Sequence, residues 1–296
     1  MAGARRDDGG LAALRLRAPA KVNLFLEVVG RRADGFHAIQ TLMLAVSLAD
    51  DLEFAPADRE IDLTCSDPAL GTGPENLVRR AAESLRRRTG CLHGARIRLT
   101  KRIPMQGGLG GGSSDAAATL LGLNRLWGLN LGVDELNRLA ADLGSDVPFF
   151  LHPPAAWCTG RGEDVSSRPL GGPLHLVLIA PPFGLPTADV YRAVQVPDQP
   201  ADGSPMLAAL AAGDAPAIGR LLHNRLQEAA ERLRPELTEL RARLDKTRPL
   251  GSMVSGSGST IFAVARDAAD ARRIEVEFAA GAPADGTRTF VVRSEE

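Results

Sequence analysis

Hydrophobic positions before residue 100 come in short runs separated by turn residues, the pattern of β-strands. These runs predict strands at 22–29, 39–46, 52–54, 61–65 and 96–100. Leucine and alanine at positions 77, 81, 82 and 85 repeat instead with a helical period. This spacing predicts an amphipathic helix over 75–89, and Gly90 is placed to end it.

The pattern after residue 100 is richer in helices. A helix is predicted over 116–127, and a second over 134–143 stops at Gly144. Further along, the apolar periods predict strands at 155–159, 174–180, 260–264 and 288–292, and helices at 187–193, 205–212, 215–232, 235–244 and 268–278. This mixed order is typical of an α+β fold. We expect a disordered extension at 1–12, an N-terminal domain at 13–165 and a C-terminal domain at 166–296.

Composition restricts the class of partner. The chain has 296 residues, 44% of them hydrophobic and 24% charged, as in ordinary globular proteins, and its net charge is −1. A neutral chain offers no basic surface for nucleic acid or a membrane, so we expect a small-molecule partner. We find no run of eighteen apolar residues, and the three scattered cysteines suit a reducing compartment. The sequence therefore predicts a cytoplasmic protein. We expect a monomer or a weak homodimer, although the sequence itself does not give the oligomeric state.

A glycine-dense run, which we call the glycine loop (residues 104–115), leads directly into the predicted helix at 116–127. Its glycines let consecutive backbone N–H groups point inward, and the first turn of a helix attracts anions. The spacing resembles a Walker A loop, but Ser113 stands where the lysine would be, which excludes a P-loop NTPase. No G-x-G-x-x-G motif fits either, and the alternative is a flexible linker. The residues expected to contact a nucleotide are Pro104, Met105, Gln106, Gly107, Gly108, Leu109, Gly110, Gly111, Gly112, Ser113 and Ser114.

Three further segments offer chemistry. Lys21 and Asn23 project from one face of a predicted strand, although an ordinary exposed lysine would give the same pattern. Asp146 lies between Gly144 and Pro148, which fix it in a corner where a carboxylate can act as a base or simply cap a turn. Pro148 also predicts an extended Val147. The small-residue loop at 251–260 could wrap phosphates or merely turn.

Taken together, these segments resemble the GHMP small-molecule kinases. The matching order is Pro-Ala-Lys-x-Asn-Leu, then Pro-x-x-Gly-Gly-Leu-Gly-Gly-Gly-Ser-Ser-Asp-Ala, then Gly-Ser-Asp-Val-Pro, then Ser-Gly-Ser-Gly-Ser. The resemblance implies the GHMP kinase fold, an N-terminal domain like the second domain of ribosomal protein S5 plus a ferredoxin-like C-terminal domain. It also implies transfer of a phosphoryl group from ATP, with Mg²⁺, to the 2-hydroxyl of a cytidine-diphosphate-linked methylerythritol in the non-mevalonate isoprenoid pathway.

The resemblance assigns roles to individual residues. Asp146 would accept the hydroxyl proton, and Lys21 would stabilise the developing charge. Ser113 or Ser114 would place a hydroxyl near Mg²⁺. The remaining implied contacts are Asn76 and Lys101 with the adenine and ribose of ATP, Asn23 and His37 with the acceptor, and Phe36 and Tyr191 on the two faces of the cytosine.

This chain departs from the family pattern at three places. Phe36 replaces the usual tyrosine, Gln106 replaces a common glycine, and Asn224-Arg225-Leu226 stands where Asn-Asp-Leu is more frequent. Two alternatives stay open at this level. Another GHMP kinase, for homoserine or mevalonate, would share the glycine loop. A nucleotide-sensing or RNA-binding module would share the S5-like fold without the reaction.

Overall fold

The structure is a computed structural model and describes residues 13–281 and 286–295. The extension expected at 1–12 lies outside these residues. Within the described part, no helix is both long enough and apolar enough to cross a lipid bilayer. The strands in chain order are β1 (Leu14–Arg31), β2 (His37–Ala57), β3 (Ile61–Cys65), β4 (Gly94–Thr100), β5 (Ala155–Thr159), β6 (Asp164–Ser167), β7 (His175–Ala180), β8 (His223–Asn224), β9 (Gly251–Val254), β10 (Ile261–Ala265) and β11 (Arg288–Arg293).

The first sheet is organised around the long antiparallel pair β1 and β2. Its order is β3-β4-β2-β1-β8, and β5 also pairs with β2 and carries β6. The β1–β2 register runs from Leu14 opposite Phe54 to Arg31 opposite His37, with three irregularities, one of them between Asn23 and Phe25. Such bulges bend a strand and redirect its side chains. Here they lie on the strand that carries Lys21 and Asn23.

Three helices pack against this sheet, namely α1 (Leu77–Thr89), α2 (Gly111–Leu126) and α3 (Val133–Leu143). Their apolar faces meet Phe54 and Leu99 of the sheet in one buried cluster. Helix α2 is central, because it contacts α1, α3, β1 and β2. The glycine loop is thereby fixed at its helical end to the core.

The second sheet is antiparallel, with the order β11-β7-β10-β9. When these four strands are numbered along the chain, their order across the sheet is 4-1-3-2. Helices connect the first strand to the second and the third to the fourth, which is the expected ferredoxin-like arrangement. Its helices are α4 (Thr187–Ala193), α5 (Ser204–Ala212), α6 (Ala215–Leu221), α7 (Gln227–Leu233), α8 (Glu236–Asp245) and α9 (Ala268–Ala280). The division at residue 165 stays a prediction, because β6 ends at Ser167 and β8 joins the first sheet.

Several sequence-based predictions were wrong. The strands expected at 39–46 and 52–54 form the single strand β2. The single helix expected over 215–232 is interrupted after α6, because β8 forms a short parallel pair with β1 and the chain then turns into α7. Val147, expected to be extended, is helical, with φ −64° and ψ −42°. Pro148 follows it as the first residue of a 3-10 helix, a position that proline favours. Residues Gly251–Val254, expected in a loop, pair with β10 as β9.

Candidate active site

A cleft of about 1000 Å³ lies at the glycine loop and takes its walls from both parts of the chain. The first sheet and its helices contribute one side, and the segments around α4 and after β9 contribute the other. Its lining includes Lys21, Asn23, Arg31, Phe36, His37, Lys101, residues 104–113, Asp146, Arg161, Thr187, Tyr191, Arg192, Gly256 and Ser257. Most of the residues predicted for the site therefore face one cavity.

The glycine loop is held through its carbonyl groups. Four successive carbonyls accept hydrogen bonds: Gln106 from the amide of Leu185 at 3.3 Å, Gly107 from the amide of Thr260 at 3.0 Å, Gly108 from Oγ of Ser255 at 3.1 Å and Leu109 from the amide of Lys21 at 3.0 Å. Among the described residues, the amides of Gly107 to Gly110 have no acceptor. The loop thus keeps its N–H groups available for an anion at the start of α2.

Gly110 precedes α2 at a crowded position. Its φ of +68° lies in the left-handed region, where a side chain is disfavoured. A Cβ atom there would lie 2.9 Å from Cζ of Phe150 and 3.0 Å from Cγ of Lys21. Both conformation and space therefore require glycine next to Lys21.

Lys21 and Asp146 meet in the cleft although they are far apart in sequence. Nζ of Lys21 lies 3.5 Å from Oδ2 of Asp146, and it donates a hydrogen bond of 2.6 Å to Oδ1 of Asn23. Asn23 in turn donates to Oγ1 of Thr41, which donates to the carbonyl of Phe25. The lysine side chain is 5% exposed and the aspartate side chain 31%. A fixed ammonium thus stands beside a carboxylate that remains open to the cavity.

The aromatic side of the cleft contains His37, Tyr191 and Phe36. The rings of His37 and Tyr191 are 5.3 Å apart at a tilt of 32°. Nε2 of His37 is buried without a hydrogen-bond partner among the described residues, and burial together with Arg31 lowers the pKa of His37. Phe36 is 52% exposed, with the guanidinium of Arg161 5.0 Å from its ring centre. A neutral imidazole and two apolar rings suit a flat, polar-edged heterocycle.

Asn76 and Lys101 have structural partners. The side chain of Asn76 accepts a hydrogen bond of 2.9 Å from the amide of Val78 and so caps the start of α1. It also donates a hydrogen bond to the carbonyl of Gly71. Nζ of Lys101 forms ion pairs with Asp50 and, at 2.8 Å, with Asp115. Burial favours the neutral amine, but the two carboxylates outweigh it and raise the pKa of Lys101. The structure thus commits the functional groups of both side chains to the framework, and their predicted contact with a nucleotide stays a prediction.

The two candidate magnesium ligands differ in their surroundings. Ser113 lines the cleft, whereas Oγ of Ser114 is buried and has no hydrogen-bond partner among the described residues. Across residues 13–281 and 286–295, no group of three or more histidine, cysteine, aspartate or glutamate side chains is able to hold a metal. Oxygen donors next to a phosphate loop suit Mg²⁺, which usually keeps waters and binds largely through nucleotide phosphates. The residues present therefore fit a nucleotide-borne magnesium ion.

Sequence reasoning missed Thr41, Asp50 and Arg161. Thr41 and Arg161 become recognisable only through strand register and loop packing. Asp50 carried a weak signal, since an acidic pair interrupts the apolar pattern of β2. Burying a carboxylate in a strand is costly unless a cation accompanies it, and Lys101 is that cation.

Two family models match the chain. The model for the GHMP kinases N terminal domain matches residues 76–153, and the model for the GHMP kinases C terminal matches residues 206–284. The chain therefore belongs to the GHMP kinases. The resemblance and the fold class expected from the sequence are both confirmed.

Two relatives of the chain carry the same name. Two proteins named 4-diphosphocytidyl-2-C-methyl-D-erythritol kinase are similar to it over most of their length. The protein from Pelotomaculum thermopropionicum is 43% identical and covers 88% of this chain and 92% of its own. The protein from Symbiobacterium thermophilum is 45% identical, and the match covers 86% of this chain and 91% of the relative.

Solved structures agree with this placement. A crystal structure of 4-(cytidine 5'-diphospho)-2C-methyl-D-erythritol kinase, 39% identical, matches 96% of this chain and 100% of its own with a TM-score of 0.80. The homoserine kinase from Cytophaga hutchinsonii matches with a TM-score of 0.76 but is only 23% identical. The second likeness shows the shared fold alone.

Proposed function

We propose that the chain transfers the γ-phosphoryl group of ATP to the 2-hydroxyl of 4-diphosphocytidyl-2-C-methyl-D-erythritol. The observation that carries the proposal is the meeting of Lys21 and Asp146, 3.5 Å apart, in the same cleft as the open amides of the glycine loop. The names of the relatives support this choice of acceptor.

The chemistry of phosphoryl transfer matches the residues of the cleft. It requires alignment of the reacting oxygens and positive charge at the equatorial ones. The glycine loop and the first turn of α2 bind the phosphates through N–H groups. Asp146 accepts the proton of the attacking hydroxyl, and Lys21 adds a fixed positive charge close to the transferred group. Asn23 and Thr41 keep the ammonium in place.

Magnesium belongs to the nucleotide in this scheme. Ser113 lines the cleft, and its hydroxyl would hold the metal from the protein side, whereas Ser114 is buried in the first turn of α2. When bound, the metal neutralises charge on the phosphates. Asn76 and Lys101 support the adenine side by fixing the starts of α1 and α2, through the cap on Val78 and the ion pair with Asp115.

The aromatic side of the cleft favours a cytidine-containing acceptor over homoserine or mevalonate. The free Nε2 of His37 lies beside the ring of Tyr191, and Phe36 presents an open face. A pyrimidine stacked on these rings gains roughly 1–3 kcal/mol for each face. Homoserine and mevalonate have no ring to use this surface.

An assay of ADP release tests the proposal. The purified chain is given MgATP and, in parallel, the cytidylated methylerythritol, homoserine or mevalonate. We expect rapid ADP release only with the first acceptor, together with a phosphorus NMR signal for a new phosphomonoester. Release with homoserine or mevalonate instead would favour another GHMP kinase. ATP binding without release for any alcohol would favour a non-catalytic nucleotide-binding protein.

A further inference from the structure

A buried carboxylate on β1 is surrounded by hydrogen-bond donors from distant parts of the chain. Glu27 is fully buried and accepts from Nε and Nη2 of Arg225, both at 2.8 Å. It also accepts from the amides of Val28 and Ala201, and its Oε2 lies 3.0 Å from Nε2 of His223. Burial alone would raise the pKa of Glu27, but the bonds from Arg225 and the two amides lower it to about 2. The carboxylate is therefore ionised and held by a bidentate pair.

Glu27 also explains the unusual arginine in the Asn224-Arg225-Leu226 segment. A carboxylate at position 225 would face the ionised Glu27 and repel it, whereas a guanidinium pairs with it. The pair closes the short parallel contact of β8 with β1, in which the amide of Arg225 donates to the carbonyl of Leu26 at 2.9 Å.

This contact continues to the candidate active site through Asn224. Its Nδ2 donates to the carbonyls of Val254 and Gly256, both at 2.8 Å. A Cβ atom on Gly256 would lie 3.1 Å from Oδ1 of Asn23 and 3.3 Å from Nζ of Lys21. The backbone of Gly256 thus passes directly against the lysine ammonium.

We propose that Arg225 is a positioning residue: its pair with Glu27 holds β8 on β1, so that Asn224 keeps Gly256 against Lys21 and the ammonium stays aimed at Asp146. The inference rests on the proposed kinase function. It differs from a purely stabilising role because the hydrogen bonds of this segment end at Gly256, whose backbone packs against the ammonium of Lys21.

The first test is Arg225→Met, assayed for both substrates at 25 °C. Because misplacement of about 1 Å can cost about a hundredfold in rate, we expect kcat to fall roughly 10- to 100-fold. The KM for ATP is expected to change less than about threefold, because the glycine loop keeps its bonds from Leu185, Thr260 and Lys21. Arg225→Lys, which keeps the charge but not the bidentate geometry, is expected to recover part of kcat. Arg266→Met is the matched control: this exposed arginine pairs with Asp270 on α9, which lines no part of the cleft, and its loss should leave kcat unchanged.

A double variant separates positioning from stability. Arg225→Met alone leaves the Glu27 carboxylate without its main partner, so the melting temperature should fall. Glu27→Gln combined with Arg225→Met removes that buried charge and should restore most of the melting temperature. We expect kcat to stay low in the double variant, because the bidentate pair is still absent.

The outcomes are distinct. A kcat that recovers in step with the melting temperature, or a normal kcat in Arg225→Met, would overturn the positioning role. If Arg225→Met does not fold, the Lys variant and the double variant decide the same question. A wild-type chain that releases no ADP overturns the proposed function, and this inference with it.

Discussion

Gly110→Ala tests the geometry that joins the glycine loop to Lys21. The substitution forces alanine into a left-handed conformation, which costs about 1–2 kcal/mol. It also places a methyl group 2.9 Å from Phe150 and 3.0 Å from Lys21, and overpacking of this kind costs about 1–3 kcal/mol. We expect a loss of roughly 2–5 kcal/mol in the free energy of unfolding. Because the lysine side chain must move to make room, kcat should also fall at least about tenfold.

Gly128→Ala is the matched control. Gly128 has a similar φ of +63°, but a Cβ atom there would meet no heavy atom within 4 Å. It should lose only the conformational part, about 1–2 kcal/mol, and keep normal turnover. Urea denaturation followed by tryptophan fluorescence gives both free energies, and ADP release gives kcat. Equal losses of stability in the two variants, or normal turnover in Gly110→Ala, would refute the argument from crowding at Lys21.

Three further substitutions test other parts of the cleft and its support. Asp146→Asn should lower turnover roughly 10²–10⁴-fold while nucleotide binding, measured by calorimetry, is kept; near-normal turnover would remove Asp146 from the mechanism. Phe36→Ala should raise the acceptor KM about 5- to 150-fold with little change in the KM for ATP, and weaker ATP binding instead would mean that this wall serves the nucleotide. Glu27 has a folded-state pKa of about 2 against 4.5 when unfolded, so its stabilisation is complete above pH 4.5 and is lost as the pH falls toward 2, by up to about 3 kcal/mol. In Glu27→Gln, the free energy of unfolding should depend less on pH between 4.5 and 2. An unchanged dependence would contradict the lowered pKa of Glu27.

Local sequence patterns were sufficient to predict helix α1, strand β3 and the glycine loop. Helix α1 follows from its apolar spacing and Gly90, and β3 spans the predicted residues 61–65. The glycine loop is recognisable because a run of glycines before a helix can expose several consecutive backbone N–H groups. Lys21 and Asn23 were expected on one strand face, and their 2.6 Å hydrogen bond confirms it.

Contacts between distant segments could not be predicted in this way. The break between α6 and α7 depends on β8 pairing with β1, and the sequence around residue 223 has no signal strong enough to end a helix. Lys101 was expected at the nucleotide, yet its ammonium is bound by Asp50 and Asp115, which are 51 and 14 residues away in sequence. Such ion pairs arise from strand register and helix placement, which single-sequence patterns do not contain.

The bonds on the carbonyls of the glycine loop have a consequence for engineering. Three of those four donors come from beyond residue 180, so the shape of the glycine loop depends on the second half of the polypeptide. Chimeras that exchange this half between related enzymes would therefore alter nucleotide binding even when every residue from 104 to 115 is retained. For the same reason, a fragment ending near residue 165 would carry the motif without the framework that shapes it.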